Sequence, residues 1–302
     1  MPKSFPDRRG FRIIDLSDTL QNSTTEPLPI EITYMDHTQT LTSPLLTEYG
    51  VTPADLPDGL GFGMEILRLS THSGTHVDAP WHYFPTSEGK PARTIDQIPL
   101  EWCYGDGVRL DFRHKQAGEA IEVPDVEGAL KKIRYRLKPY DIVLIWTGTS
   151  RFFGTADYEN KHPGMTRAST LWLIDQGVRV MGIDAWGWDR AFRTLAVEMK
   201  AGRARWWEAH YAGRDGEYLQ IERLNNLEKL PGPTGYTVAV FPARIQGASG
   251  GWTRAVAIVH GRGGRAASPA AAKAPAGAPR RRPAREAAKG RPAAPARRRG
   301  RR

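Results

Sequence analysis

Eleven consecutive residues, His72-Ser73-Gly74-Thr75-His76-Val77-Asp78-Ala79-Pro80-Trp81-His82, hold three of the chain's eight histidines and one aspartate. Imidazole nitrogens and carboxylate oxygens are the donors that divalent metals of the zinc or manganese type accept. The polar side chains at 72, 76, 78 and 82 fall at even offsets, so a regular strand would put them on one face. A straight strand still cannot join them. At about 3.3 Å per residue His72 and Asp78 stand roughly 20 Å apart, whereas donors to one ion each lie about 2.0 to 2.2 Å from it. The chain must bend, and Gly74, free in φ, and Pro80, fixed in φ, are the residues that permit it. A helix carrying His72 and His76 is disfavoured by Gly74, by the β-branched Thr75 and Val77, and by Pro80. The expectation is a strand end running into a tight loop. One such histidine alone reads as a solvated loop residue; the clustering points to a metal.

One cluster serves one ion, so further donors matter. His210, in Trp207-Glu208-Ala209-His210-Tyr211, and Glu222, in Leu219-Gln220-Ile221-Glu222, are the best-placed pair downstream. On strand alternation Leu219 and Ile221 share one face and Gln220 and Glu222 the other, which by pattern alone reads as the solvent face. The single Cys103 permits no intramolecular disulfide and no cysteine zinc site, which fits a reducing compartment and leaves His and carboxylate as ligands.

The elements that must position these donors are mostly strands. Residues 11–16, 63–70, 108–112, 141–146, 178–183, 218–224, 236–241 and 252–259 read as strands, with 63–70 delivering the chain into the histidine stretch. Helices are expected at 124–135, which opens on Pro124, and at 167–176, which Gly177 ends. Residues 21–61 carry Pro27, Pro29, Pro44, Pro53 and Pro57 with little periodicity. They read as a long loop that either covers an active site or decorates the domain. The strand-end loop 184–189 brings two Trp and two Asp, so Trp186 and Trp188 join Phe62 and Trp81 as candidate walls of an aromatic pocket. The fold class is a mixed-sheet α/β single domain over residues 1–260 with few helices.

Length and composition allow this: 302 residues at 40% hydrophobic can bury a substantial core. The net charge of +10 is misleading, because residues 261–302 hold fourteen Lys and Arg against the single Glu286 and the body is mildly acidic at −3. That Ala-, Pro-, Arg- and Gly-rich tail is expected to be disordered, and any nucleic-acid or acidic-surface partner concerns it alone. The first ten residues have charges but no apolar run, and 142–146 is far too short to span a membrane. A cytoplasmic protein without membrane association is the expectation.

Residues 72–82 match the pattern His-x-Gly-Thr-His-x-Asp-x-Pro-x-His, and the chain resembles the cyclase-type metal-dependent hydrolases, the family of bacterial kynurenine formamidase and isatin hydrolase. Supporting matches are Asp15-Leu16-Ser17, Asp141-Ile142-Val143-Leu144 before Thr147-Gly148, His162-Pro163-Gly164, Gly182-Ile183-Asp184 and Glu222-x-Leu224-x-Asn226-Leu227, so the resemblance covers most of residues 11–260. It implies a swivelling β/β/α-type domain that assembles as a homo-oligomer. His72, His76 and Asp78 are then ligands of one metal, with Asp78 bridging to a second held by His210 and Glu222, the ions being zinc or manganese. It further implies hydrolysis of a C–N amide bond, linear as in an aryl formamide or cyclic as in an aromatic amide or imide. His82, four residues past Asp78 and with an unperturbed pKa of about 6.5, is the expected proton carrier to the leaving nitrogen. The longer N-terminal loop, the Trp-rich 186–207 region and the tail depart from the smaller formamidases and bear on the substrate. Two readings of other classes stand beside this one. A non-haem iron oxygenase would use His76, Asp78 and a distant His, leaving His72 and Glu222 idle. A metal-stabilised binding protein would act through the basic tail.

Overall fold

The computed structural model describes residues 10–23 and 28–260. The basic tail at 261–302 and Pro27 in the expected loop lie outside the described residues. A nine-stranded sheet organises the remainder. From edge to edge its strands are Phe11–Asp15, Val256–His260, Thr237–Ala239, Tyr104–Asp111, Ile142–Trp146, Val180–Ile183, Leu219–Glu222, His76–Asp78 and Gly250–Trp252. The four from Tyr104–Asp111 to Leu219–Glu222 run parallel, and every other neighbouring pair is antiparallel.

The apolar run at 142–145 is explained by burial on both faces. Ile142 and Leu144 pack with Val77, Leu219 and Ile221 in one core, while Val143 and Ile145 pack with Val108, Leu110, Met181 and Ile183 in the other. The helices Val123–Lys132 and Arg167–Asp175 cover that second core through Val126, Leu130, Leu173 and Ile174. Among the described residues no helix is long and apolar enough to cross a membrane.

Several expectations are corrected. The single strand expected at 252–259 is two, Gly250–Trp252 and Val256–His260, which lie seven places apart in the strand order. In a flat sheet that is roughly 34 Å at the usual inter-strand spacing, while the four peptide units from Trp252 to Val256 reach at most about 14 Å. The sheet must therefore curl strongly, bringing its two ends close enough for residues 253–255 to join them. The residues read as one long loop contain a strand, Glu31–Met35, which pairs antiparallel with Met64–Arg68, and a short helix, Pro44–Thr47. That pair forms its own two-stranded ribbon, so Met64–Arg68 does not enter the main sheet. A further helix, Phe192–Lys200, was not expected.

Close approaches restrict some glycines. A Cβ on Gly164 would stand 2.2 Å from the backbone carbonyl carbon and oxygen of Asp189, whereas nothing lies within 4 Å of one on Gly128, inside the Val123–Lys132 helix. Gly164→Ala should therefore lower the unfolding free energy by about 1–3 kcal/mol through overpacking, and Gly128→Ala should raise it by roughly 0.5–1 kcal/mol. Denaturant titration of both variants checks this.

The turn after the first strand is stitched across the fold. Asp18 receives a hydrogen bond from Asn225 Nδ2 at 2.5 Å, and its backbone N–H donates to Thr75 Oγ1. Burial raises its carboxyl to about 7, against the opposing effects of Asn225 and Arg223. Between about 4 and 7 the folded chain thus holds a proton that the unfolded chain has lost, so stability falls as pH rises through that window. Asp18→Asn escapes this loss, and its melting temperature should improve relative to the wild-type chain on going from about pH 4.5 to about pH 8; parallel curves would contradict the assignment.

Candidate metal centre

The centre is built on one cross-strand register. His76 stands opposite Glu222, and Asp78 opposite Gln220, in the antiparallel pair His76–Asp78 and Leu219–Glu222. Residues paired in this way have Cβ atoms about 4.5–5.5 Å apart, close enough for their side chains to meet. Val77 and Ile221, between them, turn to the opposite face and enter the core. Alternation thus holds as expected, but the polar face of Leu219–Glu222 is not a solvent face: all four of its residues are buried.

The bend foreseen at Gly74 precedes the strand. Residues 71–75 form the turn, Gly74 takes φ +61, and its carbonyl accepts from His76 Nδ1 at 2.8 Å. That bond aims Nε2 of His76 at the carboxylates, 3.2 Å from Asp78 Oδ1 and 3.7 Å from Glu222 Oε2. The order is therefore loop, then strand, then a short helix Pro80–Tyr83, and not a strand end entering a loop. On the far side of Asp78, Gly250 leaves the room that His72 occupies, since a Cβ there would lie 2.7 Å from His72 Cε1. His72 Nδ1 is 2.6 Å from Asp78 Oδ1, and its Nε2 meets Ser249 Oγ at 2.9 Å.

His210 reaches the same place from the 3₁₀ turn His210–Arg214. Its Nε2 lies 3.4 Å from Glu222 Oε1 and 3.9 Å from Asp78 Oδ2. Its Nδ1 is held at 2.5 Å by Asp189, which also accepts from the backbone N–H groups of Ala209 and His210. A carboxylate behind an imidazole in this way fixes the ring and presents the other nitrogen to the centre.

Electrostatics favour a cation. Burial pushes Asp78 upward, but the imidazoles of His82, His76 and His72 outweigh it and hold the carboxyl well below its ordinary range. Burial and Asp78 push Glu222 up, and His210 and His76 bring it below its ordinary value. Two buried carboxylates therefore face each other with imidazoles for partners, an arrangement that a divalent ion relieves. His76 Nε2 supplies the test of fit: it is buried, aimed at two carboxylates and without a hydrogen-bond partner. Asp78 and Glu222 oxygens and this nitrogen lie within 4.8 Å of one another. His72, Asp78 and His82 form a second such group.

His82 stacks on His72 with ring centroids 4.0 Å apart and stands 5.6 Å from the His210 ring. Burial lowers it to about 4 despite Asp78, so it is a neutral imidazole near pH 7. Of the expected aromatic walls, Trp81 is exposed on the Pro80–Tyr83 helix, and Trp186 packs edge-on to Phe192 beneath Arg223. Phe62 is pinned through its backbone to Thr40. Trp188 is fully buried in the helix-covered core, donates its indole N–H to Thr170, and reaches the centre only through its backbone N–H to Glu222 Oε1 at 2.9 Å. Sequence reasoning missed the aromatic ring that does stand at the histidines. Trp207 stacks on His210 at 4.2 Å and meets His82 edge-on at 5.1 Å; only its place three residues before His210 hinted at this. The roles of Asp189, Ser249 and the Gln220 side chain were also missed, since no local pattern distinguishes a residue that orients a ligand from one that caps a turn.

The family model Cyclase, described as "Putative cyclase", matches residues 14–190. Cyclase-like protein 3 of Oryza sativa subsp. japonica is 24% identical over 212 residues, covering 68% of this chain and 69% of that protein. Kynurenine formamidase of Geobacillus thermodenitrificans is 29% identical over 120 residues, 39% of this chain and 49% of the relative. Isatin hydrolase A from Labrenzia aggregata, solved with benzyl benzoate bound, superposes with a TM-score of 0.63 at 23% identity, over 83% of this chain and 94% of that one. An isatin hydrolase bound to the product analogue thioisatinate gives 0.64 at 18% identity, over 83% and 93%. The match over residues 14–190, more than half of its length, makes this chain a member of the Cyclase family.

Proposed function

We propose that the chain is a metal-dependent hydrolase that cleaves a C–N amide bond, in an aryl formamide or in a cyclic aromatic amide or imide. The observation that carries this is that an unpartnered His76 Nε2 faces the Asp78 and Glu222 carboxylates while His72 and His210, from separate segments, stand against the same two carboxylates. An iron oxygenase site needs only two His and one carboxylate and leaves His72 and Glu222 without a task, whereas both belong to this cluster. Kinship with kynurenine formamidase and isatin hydrolases supports the substrate class.

His72, His76, Asp78, His210 and Glu222 are the donors that would hold one or two divalent ions, zinc or manganese. Such an ion, when bound, brings the pKa of a coordinated water toward about 7 and polarises a carbonyl. The rest of the chemistry belongs to the chain. His82, neutral and stacked on His72, takes the proton of the attacking water and delivers it to the departing nitrogen. Asp189 keeps His210 in one orientation, and Trp207, lying against both His82 and His210, supplies an aromatic face for a flat substrate.

The metal-loaded full-length protein should hydrolyse members of a panel of N-formyl aryl amines and isatin-type cyclic amides. His82→Ala should lower kcat by about 10²–10⁴ with metal content unchanged. Absence of turnover for every panel member contradicts the substrate class, and loss of metal in His82→Ala would make that residue a ligand instead of a proton carrier.

A further inference from the structure

The donor atoms fall into two groups, because each of the two carboxylates points one oxygen to each side. Asp78 Oδ1 faces His72 and His76, and Glu222 Oε2 faces His76. On the other side, His210 Nε2 lies 3.9 Å from Asp78 Oδ2 and 3.4 Å from Glu222 Oε1. Donors about 2.0 to 2.2 Å from a shared ion stand at about this separation from each other. The space among these three donors is filled. The side-chain nitrogen of Gln220 lies 2.7 Å from His210 Nε2, 2.9 Å from Asp78 Oδ2 and 2.9 Å from Glu222 Oε1.

The orientation of this amide is fixed by its partners. Two carboxylate oxygens require a donor, so the NH₂ must face them, and the carbonyl oxygen on the other end accepts from Tyr218 at 2.8 Å. The opposite orientation would set the amide oxygen against both carboxylates. Nor is the side chain free to leave: Gln220 is fully buried, its backbone N–H donates to Tyr83, and its strand register places it opposite Asp78. Tyr83 stacks on Tyr218 at 4.7 Å and also donates to the Asp78 backbone carbonyl, so one phenol holds the Gln220 amide while the other ties the two paired backbones together.

We infer that Gln220 makes the centre mononuclear, its amide N–H groups occupying the place of a second ion among His210, Asp78 and Glu222. The inference rests on the metal-centre reading and sharpens it: one ion binds on the His72 and His76 side, and an uncharged donor neutralises the remaining oxygens on the other. Asp78 and Glu222 would then offer a single ion their oxygens on the His76 side, while the Gln220 amide holds the other two oxygens.

Counting ions tests this without any substrate. The full-length chain is stripped, loaded with Mn²⁺, freed of excess by gel filtration and assayed by elemental analysis and electron paramagnetic resonance. The wild-type chain should hold one ion with an isolated six-line spectrum. Gln220→Ala, which opens the position, and Gln220→Glu, which keeps the shape and adds a ligand, should hold two ions with an exchange-broadened spectrum. Melting curves identify folded variants, and Gln220→Glu decides the matter if the alanine variant does not fold. Two ions in the wild-type chain, or one ion in the folded variants, would overturn the role of Gln220 and leave the metal-centre reading standing. No ion in the wild-type chain would overturn the metal-centre reading itself.

Discussion

The centre depends on the pairing of two short strands. His76–Asp78 is only three residues long, yet its register against Leu219–Glu222 places His76, Asp78, Gln220 and Glu222 on one face and Val77 and Ile221 on the other. A shift of one residue would exchange the two sets, sending carboxylates into the apolar core and aliphatic side chains into the centre. The fold secures the register from both sides. Gly250–Trp252 pairs on the other edge of His76–Asp78, and Leu219–Glu222 is held in turn by Val180–Ile183. The parallel strands behind it form the rigid part of the molecule, since both their faces are covered.

Around that register the chain spends polar groups freely where a core would otherwise be apolar. Asp78, Glu222, Asp189, Gln220, His76 and His210 are all buried. Their hydrogen bonds account for most of the donors and acceptors, and the one buried atom of the set left over is His76 Nε2. An uncompensated arrangement of this kind is costly unless an ion completes it. The supporting residues act by fixing orientation: Asp189 behind His210, the Gly74 carbonyl behind His76, and Ser249 behind His72.

What was legible in the sequence follows from what local patterns encode. The cluster of donors at 72–82 was visible because four polar side chains fall close together, and Gly74 announced the turn that precedes His76. Buried strands such as Ile142–Trp146 and the helices Val123–Lys132 and Arg167–Asp175 were visible through apolar runs, caps and the terminal Gly177. The strand His76–Asp78 was not, because three residues between a glycine turn and a proline carry no periodicity of their own. Alternation put Gln220 and Glu222 on a common face but could not distinguish water from a metal cleft, since both ask for polar residues. The split of 252–259 was hidden for a related reason: Thr253 and Arg254 do not interrupt the pattern as a glycine or proline would, and only the curl of the whole sheet demands a crossing there.

A preformed set of donors of this kind should bind a divalent ion. Thermal unfolding of the chelated full-length chain, repeated with increasing Zn²⁺ or Mn²⁺, tests it most directly, because an ion that binds the folded state alone raises stability by about 2.7 kcal/mol at a hundredfold excess over its Kd. The melting temperature should climb with ion concentration in the wild-type chain and stay flat in folded His76→Ala. A wild-type melting temperature that does not respond to either ion, or an equal response in His76→Ala, would contradict it.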